Sequence, residues 1–318
     1  MAVAVALALA YAVTNGVHDA SNAIAALVAT RAARPLPAVT MAAGFNLLGP
    51  LVAGAAVADT IGGIVTSTGE DAISVIGAGL LAAVAWNTTT WALGLPSSSG
   101  HALVGGLVGA GLVAGGAIHW HNVLLTLFAL AVSPLLGTLV ALVGIRLLRR
   151  GARRATRRWR LPVLASEWPM SAALAFSHGS NDAQKSVGVI AAILAAGGHA
   201  PAGWATPACA LALTAGTAVG GWRIVNTVGR RIYRIQPLDA VASQSTSAGV
   251  ILGASLLGAP VSTTQVVASS VLGVGGGRRR WRHVNWLIVR HMALGWVVTL
   301  PACAVLAAVA LAGWRAVA

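Results

Sequence analysis

The segment SHGSNDAQKSVG, Ser177–Gly188, sets an aspartate and the chain's sole lysine inside an otherwise apolar run. A related segment, TNGVHDASNAIA, Thr14–Ala25, places Asp19 in an equally apolar run near the N-terminus. Burying a charged side chain in a membrane costs roughly 2.5–3.5 kcal/mol even on the mild insertion scale, so such groups persist mainly along an ion or substrate path. The other 20 basic residues are all arginine. A position drifting without function would therefore more readily hold arginine or alanine than Lys185.

The rest of the chain supports a membrane setting. It is 57% hydrophobic and 9% charged over 318 residues, and its mean hydropathy is +0.80. Soluble domains lie far from these values, and several apolar runs are long enough to cross a bilayer. In a soluble protein a net charge of +14 would suggest nucleic acid. Here the arginines fall in short loops, where they set topology, and no nucleic-acid partner is expected. Cys209 and Cys303 sit in apolar runs without metal-ligand spacing and read as packing residues. The apolar N-terminus lacks a basic start and reads as a first membrane segment, not a signal peptide.

Ten crossings are expected, at about 2–30, 38–58, 72–93, 97–115, 121–146, 166–196, 204–224, 238–258, 261–275 and 284–313. The fold class is thus an all-α polytopic membrane protein. The first and sixth crossings carry polar stretches mid-run and read as broken helices. The fourth and ninth open with proline and hydroxyls, in LPSSSGHALVGG (Leu95–Gly106) and APVSTTQVVASS (Ala259–Ser270), as half-helices or re-entrant hairpins would. With the N- and C-termini outside, 19 of the 21 basic residues fall on the cytoplasmic side, in loops around Arg31, Arg146–Arg160, Arg223–Arg234 and Arg278–Arg290. That distribution satisfies the positive-inside rule. Tryptophans such as Trp120, Trp159, Trp204, Trp222, Trp281 and Trp314 cluster near predicted ends, as in an aromatic belt.

The polar landmarks recur. Asp19 and Asp182 lie 163 residues apart, as do Gly16 and Gly179, and Pro96–Ser99 precedes Pro260–Thr263 by 164. Five crossings per half is an odd number, so the second half must be inverted relative to the first. This is the plan of secondary transporters, in which broken helices meet at the midplane. The first repeat is residues 1–146 and the second 165–318. A basic linker, 147–164, lies between them on the cytoplasmic side, where it can touch anionic membrane lipid.

The chemistry follows from the residue types. Asp19 and Asp182, with Asn15, Asn22 and Asn181 as neutral donors, suit a hard cation such as sodium or a titrating proton, although Asn and Asp also cap helices well. Ser97–Ser99 and Ser262–Thr264 follow prolines and precede helical runs. They put hydroxyls and free backbone N–H groups at helix N-termini, which favour tetrahedral oxyanions. Gln184 and Lys185 add a donor and a point charge. His18 and His101 carry the one ring that titrates near neutral pH. No HExxH, P-loop or GxSxG motif is present, so an enzyme is not expected.

These residues carry a resemblance. The stretches NGVHDASNA (Asn15–Ala23), SHGSNDAQKSVG (Ser177–Gly188), LPSSSGHALVG (Leu95–Gly105) and PVSTTQVV (Pro260–Val267) resemble, in order and spacing, the inorganic phosphate transporter (PiT) family of cation–phosphate symporters. The resemblance spans nearly the whole chain. It implies inverted repeats, a homodimer, no cofactor and a place in the cell membrane. It also implies cation sites at Asp19, Asn22, Asn181 and Asp182, with Asp19 and Asp182 the direct ligands if sodium is the coupling ion. Phosphate sites are implied at Ser98, Ser99, Gln184, Lys185, Ser262, Thr263 and Thr264. His18 stands where many members have asparagine. In this it resembles the bacterial low-affinity, proton-coupled branch, which often carries phosphate as a neutral complex with a divalent metal. Gln265 stands where a histidine usually follows, and Gly100 interrupts the first hydroxyl run. The expected function is therefore alternating-access import of inorganic phosphate with protons or sodium. The alternatives are a sulfate permease of the same architecture and an uncoupled anion channel.

Overall fold

In the computed structural model, the described residues are all those except 67–68, 96, 116–117, 155, 221–224, 226–231, 279–280 and 318. They form α1 (Ala2–Ala29), α2 (Pro35–Val52), α3 (Ala56–Gly62), α4 (Gly69–Ala92), α5 (Ser99–Val113), α6 (Trp120–Gly151), α7 (Arg160–Ala196), α8 (Ala205–Val219), α9 (Pro237–Leu256), α10 (Thr263–Gly277) and α11 (Trp286–Val317). Among the described residues extended pairing is limited to one bridge, Val65 with Ile118. Pro96, Trp222, Arg279, Arg280 and most of the Arg223–Arg234 loop lie outside the described residues.

Five helices are long and apolar enough to cross a membrane: Ala2–Ala29, Pro35–Val52, Gly69–Ala92, Trp120–Arg154 and Trp286–Gly313. α6 and α11 present leucine, valine and phenylalanine outward, including Phe128, Leu139, Val297 and Val309, all exposed. A soluble protein would hide such side chains; lipid accepts them. Trp120, Trp159, Trp204 and Trp281, near helix ends, are also exposed. Cys209 and Cys303 are buried among apolar side chains.

The expectation of broken first and sixth helices is corrected. α1 and α7 run unbroken through their polar stretches. The reason is periodicity: residues 15, 18, 19 and 22, and again 178, 181, 182 and 185, follow the i, i+3, i+4, i+7 spacing of one helix face. A polar stripe that finds partners inside the bundle leaves the backbone ladder intact. A short helix, α3, also occupies residues assigned to the end of the second crossing.

α5 and α10 are 15 residues each. At about 1.5 Å per residue they are too short for a hydrocarbon core of about 30 Å. Ser98 and Ser262 are their N-caps, accepting from the backbone N–H of His101 and Gln265 respectively. α4 with α5 and α9 with α10 form two hairpins whose turns reach the middle of α1 and α7.

Glycine sets the closest helix contacts. A Cβ on Gly16 would stand 2.1 Å from the carbonyl oxygen of Leu213 on α8, and one on Gly179 would stand 2.3 Å from that of Asn46 on α2. Gly109 of α5 meets Ala304 of α11 in the same way, and Gly273 of α10 meets Thr138 of α6. Each helix thus packs against a partner from the other half of the chain.

Candidate functional site

The two polar stripes face each other at the bundle centre, where Asn15, His18, Asp19 and Asn22 of α1 and His178, Asn181, Asp182 and Lys185 of α7 are all buried. Five buried charges or potential charges in one place demand partners. Both hairpin tips supply them.

Asp19 accepts from both hairpins. Ser99, the first residue of α5, donates to its Oδ2 at 3.3 Å, and Thr264, the second residue of α10, donates to its Oδ1. His18 Nδ1 lies 3.3 Å from the same Oδ1. Asn22 Nδ2 donates to Thr264 Oγ1 at 3.3 Å, while Asn22 Oδ1 and both polar side-chain atoms of Asn15 are buried without a partner among the described residues. Tyr11, also in α1, donates to the Ser99 carbonyl at 3.1 Å and holds the start of α5.

Asp182 is neutralised differently. The Lys185 ammonium donates to its Oδ1 and, at 2.7 Å, to the Val261 carbonyl in the second hairpin turn. Thr263, the first residue of α10, donates to Oδ2 at 2.9 Å, and His178 Nε2 lies 2.9 Å from that oxygen. His178 Nε2 is also 4.0 Å from Asp19 Oδ2. Ligating atoms of Asp19, His178 and Asp182 all lie within 4.8 Å of one another, a grouping able to hold a metal ion.

The residues beside each aspartate clamp the hairpin turns. His18 Nε2 lies 3.3 Å from the Leu95 carbonyl and 3.2 Å from Ser97 Oγ. Asn181 Nδ2 donates to the Ala259 carbonyl at 3.4 Å and to Ser255 Oγ at 2.9 Å. Leu95 and Ala259 are equivalent in the 164-residue offset.

The structure brings Asp19, Asn22, Asn15, His18, Asn181, Asp182, Ser98, Ser99, Lys185, Ser262, Thr263 and Thr264 into this cluster. It does not bring in Gln184. That amide accepts from the Val57 N–H at 2.9 Å and donates to the Ala53 carbonyl at 3.1 Å, bracing the chain ahead of α3. His101, at the base of α5, has Nδ1 2.7 Å from Ser98 Oγ.

Several site residues were missed by sequence reasoning. His178 is the clearest, although its i−4 spacing from Asp182 was a usable signal. Its Nδ1 lies 3.0 Å from Asn46 Oδ1; Asn46 Nδ2 donates to Thr217 Oγ1 at 2.9 Å, and Thr217 in turn donates to the Leu213 carbonyl. With the Thr217 proton committed, Asn46 presents oxygen to the ring, so both ring nitrogens face oxygen acceptors. Beside Asn22, Ser243, Gln244 and Ser247 of α9 line a small cavity. Among the described residues the Gln244 amide and the Ser247 hydroxyl have no partner. Farther along, buried Glu167 accepts from Thr30 at 2.6 Å. These four depend on tertiary approach, and nothing in their local sequence marks them.

The chain can be compared with known proteins on this basis. A family model described as "Phosphate transporter family" matches residues 15–168 and 165–307. A "Probable low-affinity inorganic phosphate transporter" of Rhizobium meliloti (strain 1021) is 37% identical over 316 residues, 96% of this chain and 93% of the relative. A protein of the same description from Mycobacterium tuberculosis (strain ATCC 25618 / H37Rv) is 39% identical over 313 residues, covering 94% of this chain and 74% of the relative. A solved structure titled "The sodium-dependent phosphate transporter" shares the fold with a TM-score of 0.87 at 23% identity, covering 99% of each chain.

Proposed function

The chain belongs to the phosphate transporter family, and from that premise we propose that it imports inorganic phosphate across the cell membrane by symport. It is a membrane transporter and not an enzyme, as its relatives are. The observation that carries the proposal is the convergence on Asp19. One buried carboxylate accepts from Ser99 at the tip of one hairpin and from Thr264 at the tip of the other.

Two helix N-termini meeting at mid-depth favour a tetrahedral oxyanion. The hydroxyls of Ser98, Ser99, Ser262, Thr263 and Thr264 would turn to phosphate as it enters. Phosphate beside two carboxylates is strongly repelled: unit charges 4 Å apart interact by about 4 kcal/mol at an effective dielectric of 20. Cations must enter with it, and that need is the physical basis of coupling. Asp19, with Asn15, Asn22 and His18, forms one position for positive charge, and Asp182 with Asn181 the other, where the Lys185 ammonium already lies. Sodium, a proton, or a divalent metal travelling with phosphate would each supply positive charge.

The paired glycine contacts and the matching hairpin clamps support ten membrane segments arranged as two inverted repeats. Alternating access would come from one repeat moving against the other. The arginine distribution puts residues 147–164 in the cytoplasm and both termini outside, and the second copy of a homodimer would lie against a lipid-facing surface.

The test is labelled-phosphate uptake into proteoliposomes, with sodium and proton gradients imposed separately. Concentrative uptake under either one is expected and identifies the coupling ion. Equilibration insensitive to both would make the protein a channel, and full competition by unlabelled sulfate would make it a sulfate permease.

A further inference from the structure

The two halves of the site differ in one respect that bears on how many cations accompany each phosphate. At the 163-residue offset Asn22 corresponds to Lys185, and at the 164-residue offset Thr264 corresponds to Gly100. In the first half Thr264 bonds Asn22. In the second half the place of that threonine is bare: a Cβ on Gly100 would lie 3.6 Å from Lys185 Nζ. A threonine there would compete with the ammonium for space.

We propose that the Lys185 ammonium is a tethered cation filling the second half's cation position, so that only the Asp19 half takes up an exchangeable ion. Its bonds go to a carboxylate oxygen of Asp182 and the backbone carbonyl of Val261. Carboxylate and carbonyl oxygens are the ligand set of a hard cation, and a compact ammonium is a point charge able to stand in for one. Nζ is buried, and among the described residues it bonds none of the serine and threonine hydroxyls that would bind phosphate. Lys185 therefore acts through Asp182, as a positioning residue that sets ion stoichiometry. Among the described residues the first half offers two buried oxygens without partners, Asn15 Oδ1 and Asn22 Oδ1, beside Asp19, whereas the second half keeps one, Asn181 Oδ1.

This inference rests on the symport reading, but its test does not require transport. Sodium bound by the purified protein is counted by equilibrium dialysis with radiolabelled sodium alone. The wild-type chain is expected to bind at most one ion, and Lys185→Asn is expected to bind one more than wild type. The double variant Gly100→Thr/Lys185→Asn rebuilds the threonine–asparagine pair of the first half. It should also gain the ion, and it guards against misfolding of the single variant. Two sodium ions on the wild-type chain would overturn the proposal, with no variant needed. So would an unchanged count in a folded variant. If that unchanged count came with a roughly tenfold rise in half-saturating phosphate, the loss expected for one charge-assisted bond, Lys185 would instead be a phosphate ligand. Wild-type uptake that merely equilibrates would remove symport while leaving the sodium count to decide the role of the lysine.

Discussion

The stripe on α1 and the stripe on α7 occupy equivalent positions, yet they balance their aspartates by opposite means. Asp19 is held by two neutral hydroxyls and the neighbouring His18. Asp182 is held by an ammonium, a histidine and one hydroxyl. What stays constant is the frame: the aspartate, the clamp on the hairpin carbonyl and the glycine contact. What varies is the source of positive charge. A duplicated site can keep its geometry while its two copies divide the labour, one carrying its own cation and the other borrowing one.

The sharpest way to break this comparison is to neutralise each aspartate in turn. Asp182→Asn strips a buried ammonium of its counter-charge, and removing one partner of a buried pair costs about 3–5 kcal/mol. Thermal unfolding in detergent is expected to show a large loss of stability. Asp19→Asn leaves one of the Ser99 and Thr264 hydroxyls an amide oxygen to bond, and the other can turn to accept from the amide N–H, so it should fold with a loss of no more than about 1–2 kcal/mol while abolishing concentrative uptake. Equal destabilisation of the two variants would mean that the charge division is not real.

The second test asks whether the frame is as symmetric as it looks. Gly16→Val and Gly179→Val each drive a side chain into a backbone carbonyl. Overpacking of this kind costs about 1–3 kcal/mol, and the two variants should lose similar stability. Gly44, on α2, has nothing among the described residues within 4 Å of an added Cβ. There alanine should be neutral or stabilise by up to about 1 kcal/mol, since glycine is a poor helix former. A pronounced difference between the valine variants would show that the two glycine contacts are not equivalent.

Much of the frame was legible because it is local. Apolar length located the helices to within a few residues, and the Pro–hydroxyl clusters marked the starts of α5 and α10. The polar runs in α1 and α7 were misread as breaks because polarity was weighed without its period. Their 3–4 spacing describes one buried face, not a disrupted helix. The site's outer partners were harder to see. Asn46 and Gln244 lie in unremarkable helices and gain meaning only when α2 and α9 come against α7 and α1. Gln184 erred the other way: it sits beside Lys185 in sequence, but a helix turns about 100° per residue, and that rotation aims its amide at α3.

That rotation makes Gln184 a control for the comparison. Gln184→Leu removes both an acceptor for the Val57 N–H and a donor to the Ala53 carbonyl. Leaving those buried groups unpaired costs about 1–3 kcal/mol, so thermal stability should fall. Half-saturating phosphate, measured on the folded fraction, should not change. A raised half-saturation with full stability would return Gln184 to the substrate.

The smallest effect is expected where the two halves already exchange residues. His18 and Asn181 stand at equivalent positions and do the same work, each presenting a side-chain nitrogen to the carbonyl of its hairpin turn. His18→Asn gives the first half the second half's clamp, so the amide can donate to the Leu95 carbonyl as Asn181 donates to that of Ala259. Stability should change by less than about 1 kcal/mol and uptake by less than about fivefold. His18→Ala leaves that carbonyl without the clamp, at a cost of about 1–3 kcal/mol, and should slow uptake more. If His18→Asn instead abolished proton-driven uptake while sparing stability, the histidine would be the coupling group itself. The division of labour between the halves would then rest on the imidazole at position 18 as well as on the lysine at 185.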